Sequence, residues 1–175
     1  QKVEFSEPQN PVSVGHGEAP SQTIACRESD IDLLSLPIVH HHEMDPGHYI
    51  TAGMFTCHDP QTWSANMAFH RGFISGPREI RVYLSPGSHN YWNLKAHEAL
   101  NREMKVAFWV GHHPAHIMGA HCHMSYPKDH YIPSGTLAGQ PLRLVPSLTL
   151  GDDFLVPADA EFIIEGIMQP GKRAL

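Results

Sequence analysis

Three runs of β-forming residues follow one another with only short turns between them, and this feature constrains the fold more than any other. The runs are residues 49–57, 66–74 and 79–84. The dipeptide Asp59–Pro60 supplies turn chemistry after the first run, and the sequence SGP separates the second run from the third. The pattern predicts three strands of an antiparallel sheet or barrel.

The middle of the chain has the pattern of helices. Helical segments are predicted at 89–104, 114–121 and 129–138, with a buried strand at 105–111. Apolar or aromatic residues at Tyr91, Trp92, Leu94 and Leu100 predict that the first segment is an amphipathic helix. Pro114 suits the first position of the second helix. Strand patterns then return at 142–146, 153–157 and 160–166. This order of elements predicts an α+β domain.

The beginning of the chain has a different composition. Residues 1–21 are rich in Pro, Gly, Ser and Glu, which predicts an extended leading segment or linker. The domain is therefore expected at 22–175, with a short strand at 22–26. The first residue is Gln rather than Met, and the sequence ends abruptly in GKRAL. We therefore expect the chain to be part of a longer protein.

Composition excludes some classes of function. The formal net charge of −6 at pH 7 argues against a nucleic-acid surface, which needs a clustered basic face. No apolar run approaches the roughly 20 residues of a membrane span, and no signal-peptide pattern opens the chain. The three cysteines show no CxxC spacing, so neither a disulfide framework nor a structural zinc site is expected. The expected location is a reducing cytoplasm.

Histidine is unusually frequent, with 15 residues against 12 lysines and arginines together. Neutral imidazole is a common metal ligand. Residues 40–42 are all histidine, but successive side chains of an extended chain alternate sides, so these three cannot converge on one point. A polar loop before a strand is the favoured interpretation. Segments 111–116 and 121–123 also carry neighbouring histidines, yet neither matches HExxH or another specific zinc pattern.

The order of local patterns is more informative than any single one. The patterns are DxDLLxLPI at 30–38, DPGHYITAG at 45–53, NMAFHR at 66–71, GHHPA at 111–115, TLAGQPL at 136–142 and VPADAEFIIEGIMQPGKRA at 156–174. This succession resembles the central region of the UbiD family of reversible decarboxylases, which use prenylated FMN. The resemblance implies a split β-barrel-like antiparallel sheet with two or three helices, related to FMN-binding split barrels.

The resemblance also implies a metal site that holds the cofactor phosphate. The family places an Asn five residues before an active-site Arg and a His eighteen residues after it, as Asn66, Arg71 and His89 are placed here. The implied metal is manganese or another divalent ion, with a potassium ion nearby. Relatives have a Glu as third ligand, whereas His130 stands at that position here, preceded by Asp129. Either the metal differs, or Asp129 substitutes, or the site is altered.

Further roles follow from the same resemblance. Arg71 is expected to be catalytic, orienting the substrate carboxylate and the catalytic acid. The expected cofactor-binding residues are Asn66, Met67, Ala68, Arg71, His89, His121 and Cys122. The family's acid lies in an E-G-P-[FY]-G-[ED] motif, which would follow Leu175, so the chain alone is expected to be inactive. Glu161 and Glu165 lie on a predicted strand and are expected to be structural.

The resemblance implies an enzyme, when complete, that reversibly and non-oxidatively decarboxylates an aromatic or α,β-unsaturated acid. Other regions of the same enzyme and further copies of it are the expected partners. Two alternatives remain open at this point. One is a non-catalytic flavin- or metal-binding module, and the other is an unrelated His-rich metalloenzyme that binds a metal without flavin.

Overall fold

A computed structural model describes residues 7–173 of the chain. The strands are β1 (Val12–Ser13), β2 (Tyr49–His58), β3 (Ala65–Gly76), β4 (Glu79–Val82), β5 (Met104–Val110), β6 (Arg143–Pro146), β7 (Leu155–Pro157) and β8 (Phe162–Met168). The α-helices are α1 (His89–Ala99), α2 (Pro114–Met118) and α3 (Tyr131–Ala138). In this part of the chain, no helix is both long and apolar enough to cross a membrane.

The main sheet has five strands in the order β4-β3-β2-β5-β8, and every neighbouring pair is antiparallel. The β2–β3 hairpin pairs Cys57 with Asn66 next to the connecting turn. That turn is closed by Asp59, whose Oδ1 accepts hydrogen bonds from the backbone N–H groups of Gln61 and Thr62. The α+β class, the antiparallel sheet and the three predicted helices are confirmed.

A second sheet joins distant parts of the sequence in the order β1-β6-β7. Val12, which lies within the predicted leading segment 1–21, pairs with Arg143 in parallel orientation. Ala19 of the same segment is 5% exposed and belongs to the core. The strand predicted at 22–26 is wrong, because a 3-10 turn occupies Pro20–Gln22 and Ile24 is 85% exposed.

The main sheet separates two apolar cores, because neighbouring residues of a strand point to opposite faces. Met54 and Trp109 belong to the core that includes Phe154 and the small sheet. Phe55 and Phe108 belong to the core against α1. The Phe108 ring crosses Gly53 so closely that a Cβ built on this glycine would lie 1.8 Å from Cε1 of the ring.

Helix α1 is shorter than the predicted segment 89–104. Ser88 caps its first turn by accepting a hydrogen bond from the Tyr91 N–H, and this cap sets the beginning of the helix at His89. The helix ends at Ala99, and Asn101 adopts a left-handed conformation with φ of 49°. β5 then begins at Met104, so the last predicted helical residue is the first residue of a strand.

Candidate functional site

The beginning of β3 and the first turn of α1 meet at a small pocket. Asn66 from β3 and His89 from α1 both line it, together with Asn93 and Tyr126. Asn66 is buried, whereas His89 is partly exposed at the opening. The side chains close over the pocket and leave no free volume for a water molecule between them. The pocket therefore brings candidate ligand side chains together, but it does not admit a whole flavin.

The imidazole ring of His130 lies next to that of His89. The two ring centroids are 5.7 Å apart, and His130 is 3% exposed. The backbone N–H of His130 donates a 2.9 Å hydrogen bond to the Ala65 carbonyl, which attaches the loop before α3 to the first residue of β3. This attachment brings His130 to the same end of β3 as Asn66.

Burial keeps both imidazoles neutral. It lowers the pKa of His89 below the ordinary histidine value. The pKa of His130 is also lowered, first by burial and then by the proximity of His89, although Asp129 acts in the opposite direction. The Nδ1 atom of His130 is buried without a hydrogen-bond partner among the described residues. Neutral rings offer a lone pair, which metal coordination requires.

A buried polar network lies beneath the pocket. Asn66 Nδ2 donates a hydrogen bond to Asn90 Oδ1, and the Cys57 thiol donates to the same oxygen at 3.1 Å. Asn93 Nδ2 in turn donates to Cys57 Sγ at 3.3 Å. Burial raises the pKa of Cys57 to about 12, which keeps the thiol protonated and able to donate. The sequence patterns did not single out Asn90, Asn93 or Cys57.

The side chains of Asn66, His89 and His130 are suitable ligands for a divalent metal, but no carboxylate is among them. Asn66 supplies an amide oxygen, and His89 and His130 supply neutral nitrogens, a donor set that suits manganese or a softer ion. The Asp129 oxygens accept hydrogen bonds from the backbone N–H groups of Ala65 and Tyr131, which hold this carboxylate against the start of β3 and the start of α3. Within residues 7–173, no group of three or more His, Cys, Asp or Glu side chains is arranged to hold a metal.

The remaining predicted cofactor residues lie elsewhere on the sheet. Arg71 is exposed, and it follows Asn66 by five residues, so the two point to opposite faces about 16 Å apart along β3. His121 stacks on Phe69, near Arg71, with ring centroids 4.8 Å apart. Cys122 is partly buried, and burial raises its pKa. The structure thus divides the predicted residues between a pocket and a sheet surface.

Two predicted cofactor contacts have restricted geometry. Met67 is fully buried in the core, backbone included, so it presents no surface to a ligand in this structure. Ala68 is partly exposed and shares the strand face of Asn66.

The other histidine groups are separate from this pocket. Residues 40–42 are exposed in a bend before β2, as predicted for a polar loop. The rings of His40 and His41 lie within hydrogen-bond distance of the backbone carbonyls of Asp45 and Tyr49, and the His40 ring also contacts His48. In segment 111–116, His112 and His116 line a second pocket with Arg143 and Asp159.

Comparison with known proteins decides the family. Residues 12–175 match the family described as UbiD: 3-octaprenyl-4-hydroxybenzoate carboxy-lyase Rift-related domain. The chain belongs to the UbiD family. This confirms the resemblance drawn from the six sequence patterns, including its assignment to a family of decarboxylases. The anhydromevalonate phosphate decarboxylase of Methanothermobacter thermautotrophicus is 32% identical over 147 residues, which cover 84% of this chain and 34% of that protein.

Solved UbiD-class structures share the fold. The enzyme HmfF from Pelotomaculum thermopropionicum in complex with FMN superposes with a TM-score of 0.90 at 33% identity, covering 97% of this chain and 38% of HmfF. A dimeric form of HmfF evolved from this enzyme, in complex with prFMN, gives a TM-score of 0.89. The 3,4-dihydroxybenzoic acid decarboxylase AroY of Klebsiella pneumoniae gives 0.84 at 26% identity, covering 97% and 36%.

The UbiD chain described here spans about a third of the length of these relatives. The split-barrel-like antiparallel fold predicted from the resemblance is confirmed by their structures.

Proposed function

We propose that this chain is the cofactor-binding part of a prenylated-FMN-dependent decarboxylase that acts on an aromatic or α,β-unsaturated carboxylic acid. The observation that carries the proposal is the convergence of Asn66, His89 and His130 at one end of β3. Two structures of the UbiD-class enzyme HmfF, one with FMN and one of an evolved form with prFMN, support the choice of cofactor.

Three residues would hold a divalent metal, and through it the cofactor phosphate. Asn66 would contribute its Oδ1 atom, and His89 and His130 would contribute ring nitrogens that burial keeps neutral. The expected ion is manganese, with potassium nearby. A site with two imidazoles and an amide adds no negative charge of its own, so the phosphate would have to supply it.

The exposed cation Arg71 would act on the opposite face of β3, at the sheet surface that carries Phe69 and His121. A guanidinium binds a carboxylate through two parallel charge-assisted hydrogen bonds, which orients as well as attracts it. Within the described residues Arg71 has no ion pair of its own, so its charge is available to a substrate. His121 and Cys122 would contact the cofactor on this surface. When bound, prenylated FMN supplies an electron sink for reversible, non-oxidative loss of CO2.

The remaining partners are proposed on the same basis. Other regions of the enzyme would supply the catalytic acid and most of the substrate pocket, since this chain spans about a third of its relatives. We propose a homo-oligomer in a reducing cytoplasm, which agrees with the free state of Cys26, Cys57 and Cys122.

The experiment uses the full-length protein co-produced with a prenyl-flavin synthase. Wild type and His89→Ala are compared by absorbance spectrum and elemental analysis, with the exposed loop variant His40→Ala as matched control. We expect bound flavin and a stoichiometric divalent metal in wild type and in His40→Ala, and loss of both in His89→Ala. A metal without flavin, indifferent to His89, would overturn the proposal and favour an unrelated metal site.

One observation favours a second candidate, a non-catalytic flavin- or metal-binding module. His130 replaces the family's carboxylate ligand, and Asp129 is engaged by backbone N–H groups. Turnover of any aryl or unsaturated acid by the flavin-loaded full-length protein, measured as CO2 release, would exclude this module.

A further inference from the structure

A line of directed hydrogen bonds runs from the end of β4 to the pocket. His70 Nδ1 lies 3.2 Å from the backbone carbonyl oxygen of Tyr83. His70 Nε2 lies 3.0 Å from Asn90 Nδ2, and Asn90 Oδ1 accepts the hydrogen bond from Asn66 Nδ2. Asn90 is fully buried at the centre of this line.

While His70 is neutral, only one assignment of donors and acceptors satisfies all the hydrogen bonds of this line. A carbonyl oxygen can only accept, so His70 carries its hydrogen on Nδ1 and leaves Nε2 as an acceptor. Asn90 must then turn its NH2 group toward His70 and its oxygen toward Asn66. Asn66 consequently donates through Nδ2, and its Oδ1 atom is the one left for a ligand in the pocket.

We propose that His70 and Asn90 are positioning residues that hold the Asn66 amide with its oxygen toward the metal site. The inference rests on the proposed function, because an orientation of Asn66 matters to activity only if its Oδ1 binds the metal. A reversed Asn66 amide would present an NH2 group to the cation, and an NH2 group has no lone pair to offer. No contact between His70 and the ligand itself is required.

The packing around Asn90 supports this orientation. Its oxygen accepts a second hydrogen bond from the Cys57 thiol at 3.1 Å. Reversing Asn90 alone would aim its NH2 group at the NH2 group of Asn66 and its oxygen at the unprotonated Nε2 of His70. Two donors would then face each other at one end of Asn90, and two acceptors at the other. Burial also lowers the pKa of His70 below its ordinary value, although the Tyr83 carbonyl acts to raise it, and a neutral ring is what the line requires.

The test measures Mn2+ binding to the metal-free full-length protein by electron paramagnetic resonance titration. Removal of groups that orient metal ligands typically costs about 10- to 100-fold in metal affinity. We expect His70→Leu to weaken Mn2+ binding at least about tenfold. His70→Gln should restore it, because the glutamine amide can donate to Tyr83 and accept from Asn90. The exposed loop variant His41→Leu is the control and should bind as wild type.

A double-mutant cycle separates positioning from a general structural effect. In an Asn66→Ala background the orientation of residue 66 no longer exists, so His70→Leu should cause no further loss of Mn2+ affinity. An equal loss in both backgrounds, or wild-type affinity in His70→Leu, would overturn the inference. If wild type binds no Mn2+, or binds it independently of His89, the proposed function itself fails. If Mn2+ binding depends on His89 but not on His70, only the positioning inference fails.

Asn90 provides a second comparison in case His70→Leu does not fold. Aspartate and leucine both branch at Cγ as asparagine does, but only aspartate retains oxygens that accept from Asn66 Nδ2. We expect Asn90→Asp to keep Mn2+ binding and Asn90→Leu to lose at least about tenfold. Equal Mn2+ affinities for these two variants would overturn the inference.

Discussion

The hydroxyl of Tyr126 donates a 2.6 Å hydrogen bond to Asp59 Oδ2, although the two residues are 67 positions apart. The bond attaches the loop before α3 to the β2–β3 turn. The Tyr126 ring also lies 5.4 Å from His89 and 5.2 Å from Trp92, so the attachment supports the wall of the candidate site.

Tyr126→Phe is expected to lower the free energy of unfolding by about 1.5–3 kcal/mol at pH 7, the usual contribution of a hydrogen bond to a charged group. Although burial acts to raise the pKa of Asp59, hydrogen bonds from Tyr126 and Thr62 lower it overall. A carboxyl with a lowered pKa stabilises the fold above its unfolded pKa and loses that contribution as pH falls through the folded value. The difference between variant and wild type should therefore shrink below about pH 4. Urea unfolding at several pH values measures it.

The control for this prediction is Tyr83→Phe, because the Tyr83 side chain is 74% exposed. Equal losses in the two variants at pH 7 would contradict a specific role for the Asp59 bond.

His58 should make the domain sensitive to acid. Its ring stacks on Trp63 and meets Phe154 edge-on, both at 4.7 Å, and burial lowers its pKa to about 4. Between pH 6.5 and 4 the unfolded chain binds a proton that the folded chain does not, so stability falls as the pH is lowered through this range. We expect His58→Phe to reduce that fall by about 1–3 kcal/mol. Unfolding free energies measured from pH 7 to 4 test this, with exposed His41→Phe expected to leave the fall unchanged.

Gly53 is expected to tolerate no side chain. A Cβ at this position would lie 1.8 Å from the Phe108 ring, which packs in the core against α1. Gly53→Ala should therefore cost about 1–3 kcal/mol of unfolding free energy or more, because the ring must leave its place. Gly17→Ala is the matched control, since a methyl group at that position would have nothing within 4 Å of it. Similar melting temperatures for the two variants would count against the close approach.

His130→Glu should restore a carboxylate at the third ligand position. We expect Mn2+ affinity to rise about tenfold, because carboxylate oxygen suits this ion better than imidazole does. Without metal the variant should be less stable than wild type, since a buried charge then lacks a partner. Titration with Mn2+ and melting with and without the ion measure both effects. His116→Glu, equally buried but at the second pocket, should lose stability without gaining Mn2+ affinity.

Local patterns predicted much of this fold. The long strands β2 and β3 and the strand β5 carry dense runs of β-forming residues, and their predicted bounds agree closely with the observed ones. The pairing of β1 with β6 was not predictable, because two residues without a marked pattern gain their strand conformation from a distant partner. The end of α1 was missed because helix-forming residues continue beyond it, while the left-handed Asn101 ends it.

The candidate site was predictable in part. Spacing identified Asn66, His89 and His130 through their resemblance to a family pattern, and strand alternation separates Asn66 from Arg71. The roles of Asn90 and His70 could not be seen, because they depend on which amide atom faces which neighbour. Asn90, Asn93 and His97 recur about one turn apart along α1, and this spacing of polar residues is the local signal that a polar helix face was turned inward.

The parallel pairing of β1 with β6 also sets an order of events during synthesis. Val12 has its partner at Arg143, so 131 further residues must be synthesised before β1 can pair with β6. At the usual rate of about 5–20 residues per second, this takes roughly 7 to 26 seconds. Before that interval ends the hairpin of β2 and β3 has both its strands, whereas β1 cannot form its pairing with β6 until β6 has been made.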